Sequence, residues 1–378
     1  MDDSATDAAD AVLDEIALLV PRLTGTLDML AAIARGMHPP RITALVELIG
    51  DQDAVLGAAV QRFRAAPWPS RLGSFRDQLG ESADLALSAC AGLREAASSP
   101  AGPGEAFRAL GHYTRAVEAL YPLSAVRPAI GRWFLNPPQR DDADLLERLR
   151  QPPAPGTGVR HARNERGTRG GFSVYVPEYL DPATRVPVVM ALHGGSGHGR
   201  TFLWTWIREA RGRGLIVVAP TSTGRTWSLG EPDVDIIHLE AVLEQIRSRW
   251  SIDPERMLLT GISDGGTFTL LSGLIETSPF THLAPIAASF HPVLLEISDP
   301  SRTIGLPIYL IHGVRDWMFP VQVARTASNV LSSAGARVNY REIRDLSHTY
   351  PAEENERIID WLYRDPVIPE DDPLRRRS

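Results

Sequence analysis

Three runs, "VPVVMALHG" (186–194), "LIVVAP" (215–220) and "LPIYLIHG" (306–313), constrain the fold more than anything else in the chain. Each is short, bounded by turn residues and apolar without alternation, the pattern of a strand buried on both faces. Strands of that kind need helices above and below them, which predicts an α/β architecture with a mostly parallel sheet. Helical segments do lie between the runs, the clearest being "DVDIIHLEAVLEQIRSRW" (233–250). The full set of predicted strands is 159–165, 171–177, 186–192, 214–219, 256–261, 283–289, 306–312 and 337–343. The first two flank "RGTRGG" and read as a hairpin, so the sheet should be antiparallel at its start and parallel afterwards.

The first 135 residues follow a different rule. Apolar residues recur at three- and four-residue steps over 8–34, 39–63, 72–97 and 104–123, separated by Pro, Gly and Ser clusters such as "APWPS" and "SSPAGPG". Four amphipathic segments with short connections predict an all-α antiparallel bundle. Pro21 should kink or break the first of them. The division expected is a helical bundle over 1–135, a Pro-rich linker with one short helix over 136–158, the α/β domain over 159–365 and a tail over 366–378.

Composition removes several function classes. The net charge of −7 argues against a nucleic-acid binder, which would carry a basic face. All 39 basic residues are arginine, so Schiff-base chemistry, a P-loop lysine and a Ser–Lys dyad are excluded. The single cysteine, Cys90, allows no internal disulfide and no Cys-cluster zinc site, and its Ala-rich setting predicts a buried small hydrophobe. The acidic start "MDDSATDAAD" is unlike a secretory signal, and no window of about 18 uninterrupted apolar residues is present, so a cytoplasmic chain without a membrane span is expected.

"TGISDGG" (260–266) puts Ser263 between two glycines, after one predicted strand and before the helical pattern "TFTLLSGL". In that context G-x-S-x-G forms a strained strand-to-helix turn that exposes a serine nucleophile. A hydroxyl attacks only when a histidine takes its proton and a carboxylate orients that histidine. Both should sit just beyond strand C-termini. Asp316, after the seventh strand in "HGVRDWMFP", and His348, after the eighth in "DLSHTYP", meet that condition in the order Ser, Asp, His. Asp316 could instead be a turn residue or helix cap, and His348 a surface loop residue. Asp299 is the rival acid and His291 the rival base, while His312 is read as structural. Oxyanion donors are expected from the N–H of Asp264 and from "LHGGSGHG" (192–199), with Gly195 first and Ser196 next. His193 and His198 in that loop have no acidic third ligand nearby, so no metal is expected.

With "LHGG", "GISDGG", "HGVRD" and "SHTYP" in this order, residues 159–360 resemble the α/β-hydrolase superfamily. The stretch "DVDIIHLEAVLEQIRSRWSIDPERMLLTGISDGG", with D-x-x-R ahead of the elbow strand, is similar to the phospholipase/carboxylesterase and polyhydroxybutyrate-depolymerase-like esterases. The resemblance implies an eight-stranded hydrolase sheet, a Ser263–His348–Asp316 triad and hydrolysis of carboxylic esters with no metal or organic cofactor. The resemblance does not extend to residues 1–150. An acyltransferase would use the same triad, and a non-catalytic interaction protein could use the same scaffold.

The segment after the sixth strand, 291–305, is too short for a cap domain. Access to the site should therefore be shaped by loop aromatics, with Trp227 and Trp317, and His291 beside them, as pocket candidates. The expected partner is a small-molecule ester. The bundle is expected to act either as a lid or as a homodimerisation or docking module.

Overall fold

The computed structural model describes residues 3–230, 233–296 and 300–365, with side chains from Asp10 onward. Asp299 and the tail 366–378 lie outside the described residues. The chain divides into two compact units, Met1–Asp142 and Ala143–Ser378.

The first unit is helical: Asp3–Gly36, Ile42–Val46, Gln52–Ala65, Gly73–Ala97, Gly102–Leu120 and Pro128–Trp133, with short 3-10 turns between. In the first helix Leu19, Leu23, Leu27, Leu30 and Ile33 are fully buried, the three- and four-residue spacing of a core-facing stripe. Of the kink or break expected at Pro21, the break does not occur, since one helix runs through it. The buried stripe spans the proline, and the side chains of Arg22 and Thr24 donate to the carbonyls of Leu18 and Val20 beside it. Residues Asp10–Gly36 are also long and apolar enough to cross a membrane by length and composition, with half of the most apolar window buried inside the unit. The segment 39–63 is not one helical stretch, because Gly50 turns it at φ 52°. Cys90 is buried, and burial pushes its thiol up to about 11.

The second unit carries the sheet: β1 Gly158–Ala162, β2 Phe172–Val176, β3 Val186–Leu192, β4 Ile216–Pro220, β5 Ile252–Ile262, β6 His282–Ile286, β7 Pro307–Gly313 and β8 Arg337–Ile343. Their order is β1-β2-β4-β3-β5-β6-β7-β8. β2 pairs antiparallel with both β1 and β4, and every other pairing is parallel. This is the eight-stranded, mostly parallel sheet, antiparallel at its start, expected from the sequence. β5 starts four residues earlier than predicted, at the D-x-x-R turn, where Arg256 donates to Asp253 at 2.8 Å. The helix Ala143–Arg150 belongs to this unit, with Leu145 fully buried and the Arg148 guanidinium 4.6 Å from the centre of the Tyr179 ring.

The strand order locates a site before any side chain is considered. From β3 the chain crosses to β4 on one side, then returns to β5 on the other side of β3. Loops leaving the C-terminal ends of β3 and β5 therefore diverge and leave a crevice at that switch point. Leu192 and Gly261 are register partners there, so the loop after Leu192 and the turn after Gly261 face one another.

Candidate active site

Ser263 occupies the turn between β5 and the helix Asp264–Gly273 at φ 57° and ψ −121°, outside the usual range for an L-residue. The turn is possible only because its flanks lack side chains. A Cβ on Gly261 would stand 2.5 Å from the Gly265 carbonyl oxygen, and one on Gly265 would stand 2.4 Å from that of His193. The Ser263 N–H is fixed to the Ile286 carbonyl at 2.9 Å, tying the turn to the end of β6.

Asp316 and His348 are brought together by main-chain bonds between the loops after β7 and β8. Val314 N–H donates to Ile343 O and Arg315 N–H to Leu346 O, each at 2.9 Å. His348 Nδ1 then meets Asp316 Oδ2 at 2.7 Å. The other oxygen, Oδ1, accepts the N–H groups of Met318 at 2.9 Å and Phe319 at 2.8 Å. Burial alone would raise this carboxyl, but the His348 bond and the two N–H donors together hold it below the ordinary aspartate value. His348 Nε2 is buried and has no hydrogen-bond partner among the described residues. His312 is fully buried, and its Nε2 bonds the Phe319 carbonyl at 2.9 Å and lies 3.5 Å from Asp316 Oδ2, a structural role as expected.

On the opposite side, residues Gly194–Gly197 form a tight turn closed by Gly197 N–H to Gly194 O at 2.9 Å, with Ser196 at φ 57°. Gly195 lies against Asp264, whose Oδ2 is 2.6 Å from where a Gly195 Cβ would be. Asp264 opens its helix, so its N–H has no intrahelical acceptor. Gly195 thus lies against Asp264, the residue after Ser263, and Gly194 is close to the Ser263 Cβ, while Ser196 follows in the same turn and accepts from Arg225 Nε at 3.1 Å.

Several supporting residues have roles that the sequence did not assign. His193 Nδ1 bonds Gly194 O at 2.7 Å while its Nε2 accepts the Ser222 N–H at 3.1 Å, which fixes a neutral tautomer. Burial holds its pKa down to about 4. His198 is likewise engaged at both nitrogens, by Arg200 N–H and Thr168 O. Asp235 is fully buried and accepts from Thr223 N–H, Ser228 N–H and the Ser228 hydroxyl, shaping the loop after β4. Tyr350 anchors the histidine loop through Asn355, which in turn bonds Thr205 O at 2.8 Å. Of these, His193 and His198 stood out in the sequence, in "LHGGSGHG", and Asp235, Tyr350 and Asn355 did not.

The pocket candidates separate. Trp227 is a core residue and not a pocket wall: it is 2% exposed, stacks on Phe268 and gives its indole N–H to His193 O at 2.7 Å. A large apolar ring with one donor is most stable where both are satisfied, and this site supplies both. His291 is exposed, and its Nδ1 accepts the Val293 N–H at the start of the helix Val293–Glu296. Trp317 is 50% exposed with its ring 6.4 Å from that of His348, and Phe319 is nearer at 5.3 Å.

Residues 237–364 match the family model described as Phospholipase/Carboxylesterase. A bifunctional acetylxylan esterase/xylanase of Neocallimastix patriciarum is 26% identical over 52% of this chain and 28% of its own length. Feruloyl esterase C of Emericella nidulans is 22% identical over 43% of this chain and 60% of its own. The chain therefore spans less than two thirds of these relatives. Among solved structures, a thermophilic esterase of Thermogutta terrifontis is 15% identical, with a TM-score of 0.45 over 58% of this chain and 96% of that one.

Proposed function

We propose, from the premise that the second unit is an α/β-hydrolase of the esterase family, that this chain hydrolyses carboxylic esters through an acyl-enzyme on Ser263. One observation carries the reading: a serine in a strained strand-to-helix turn shares a sheet edge with a His–Asp pair whose outer nitrogen is unengaged. His348 Nε2 would take the Ser263 proton as the oxygen attacks the ester carbonyl, while Asp316 holds the Nδ1–H and steadies the imidazolium. The oxyanion would be received by the N–H groups of Asp264 and Gly195, with Ser196 next to them. The imidazolium then protonates the leaving alcohol, and a water activated by the same histidine releases the acid.

The exposed faces of Trp317 and Met318 beside this pair supply apolar surface for one side of a small ester. The reaction needs no group beyond the chain's own residues and water. The test is labelling of wild type and Ser263→Ala with a fluorophosphonate, alongside hydrolysis of p-nitrophenyl acetate and butyrate with and without an alcohol acceptor. Labelling and hydrolysis confined to the wild type support the reading. Equal labelling of both would remove Ser263 from the mechanism, and turnover that depends on the alcohol would make the protein an acyltransferase.

A further inference from the structure

Arg169, in the loop between β1 and β2, stands outside the triad, yet its guanidinium makes four hydrogen bonds that join two loops. Nη1 donates to Gly197 O at 2.7 Å, at the end of the Gly194–Gly197 turn. Nε donates to Gly224 O at 2.7 Å, and Nη2 to Arg225 O at 3.1 Å and to the Ser222 hydroxyl. The second set lies in the loop after β4. That loop continues into Thr226, whose hydroxyl donates to Asp264 Oδ2 at 2.6 Å. Arg225 closes the same circuit from its own side, through Nε to Ser196 Oγ at 3.1 Å.

The circuit matters because the two oxyanion donors sit on segments that the chain does not join locally. Gly195 follows β3 and Asp264 follows β5, and the last register pair of those two strands is Leu192 with Gly261. Beyond that last pair, the separation of the two N–H groups depends on what holds the turn against the helix start. Arg169 supplies a planar fork with several donors in fixed directions, which a flexible ammonium cannot reproduce. Burial is the largest influence on this guanidinium and lowers its pKa, with the Asp235 carboxylate opposing.

We propose that Arg169 is a positioning residue that sets the spacing of the Gly195 and Asp264 N–H donors for the tetrahedral intermediate, an inference that rests on the esterase reading above. A misplaced oxyanion donor is felt where charge develops, in the transition state, and much less in the bound ester. A simple brace of the fold would lower thermal stability and leave the turnover of folded enzyme intact.

The experiment compares wild type, Arg169→Ala, Arg169→Lys and Ser263→Ala on p-nitrophenyl butyrate, with and without millimolar methylguanidinium. Arg169→Ala should lose kcat by about 10- to 100-fold with KM changed less than about threefold. Methylguanidinium should restore much of that loss in Arg169→Ala and none in Ser263→Ala. If Arg169→Ala does not fold, Arg169→Lys is read by the same kcat-against-KM split. A kcat within twofold of wild type in the folded variant overturns the inference. So does a loss carried by KM, or one that methylguanidinium does not relieve. A wild type that neither turns over esters nor reacts with a fluorophosphonate overturns the esterase reading and this inference together; an active wild type with an equally active Arg169→Ala overturns only this one.

Discussion

Replacing Asp316 with asparagine should disable the site by inverting a tautomer while the fold stays intact. The carboxylate accepts three hydrogen bonds: Met318 and Phe319 N–H on Oδ1, and His348 Nδ1–H on Oδ2. A carboxamide has one acceptor oxygen and must choose. If the oxygen stays with the two main-chain donors, the NH₂ faces Nδ1 and forces that nitrogen to accept. The imidazole proton then sits on Nε2, which can no longer take the Ser263 proton. If the amide flips, two main-chain donors face an NH₂ in a buried pocket, at roughly 1–3 kcal/mol each. The first arrangement keeps every bond and wins. The expected loss in kcat is about 10⁴-fold, as for the same change in a serine protease triad. Stopped-flow kinetics with p-nitrophenyl acetate measure it, and ¹⁵N NMR of the His348 ring reads the tautomer directly. A kcat within tenfold of wild type would refute the reasoning. An inactive variant whose His348 still carries its proton on Nδ1 would refute it as well. Asp299→Asn serves as the comparison and should leave kcat unchanged.

Other consequences are open to direct measurement. Ser263→Ala should lower kcat by about 10⁴- to 10⁶-fold with an unchanged thermal midpoint, and a folded variant of near wild-type activity would contradict the nucleophile. Gly265→Ala should destabilise the second unit by roughly 1–3 kcal/mol, because the added carbon meets the main-chain oxygens of His193 and Leu192 and not a side chain that can swing away. His193 and His282 are both held at about 4 by burial against an ordinary 6.5, so the unfolded chain binds their protons first as pH falls. Stability is then full above pH 6.5 and declines towards pH 4, by up to about 3 kcal/mol for each histidine; a urea midpoint that stays level over that window counts against the buried neutral rings. A chain beginning at Pro152 should be less stable than one beginning at Ala143, by about 2 kcal/mol for the lost Leu145 burial, and equal unfolding free energies in urea would show that the helix Ala143–Arg150 adds nothing.

The sheet was legible because burial on both faces leaves an unmistakable trace in runs such as "VPVVMALHG", and all eight strands fall within a few residues of their predicted positions. Ser263 was legible for a related reason: only glycine fits at 261 and 265, so backbone crowding is written as composition. His348 and Asp316 could be named because a parallel strand order limits which loops share the C-terminal edge. Arg169 and Asp235 could not. Each acts through carbonyl oxygens or N–H groups of residues distant in the chain, and a main-chain partner has no sequence signature. Trp227 misled because a strand-end loop looks exposed in one dimension, whereas this loop folds back and stacks its ring on Phe268. Pro21 does not end its helix, since the buried stripe on both sides of it outweighs one missing hydrogen bond.

The acid's loop also decides which side chains a substrate would meet. Because Asp316 Oδ1 accepts the N–H groups of both Met318 and Phe319, the three residues after it are wound into a tight turn about the carboxylate. A turn with its donors facing inward must send successive side chains in different directions. Phe319 goes in against the His348 ring at 5.3 Å, while Trp317 and Met318 go out, 50% and 47% exposed. The hydrogen bonds that orient the histidine therefore also hold two large apolar side chains at the surface, where hydration disfavours them. Changing Trp317 to alanine leaves the Asp316 acceptors untouched, so its effect should appear in the preference between short and long acyl chains and not in the histidine's tautomer. If Trp317→Ala altered the ¹⁵N signature of His348 as well, the turn and the exposed aromatic would be one unit, and the separation argued here between orienting and contacting roles would be wrong.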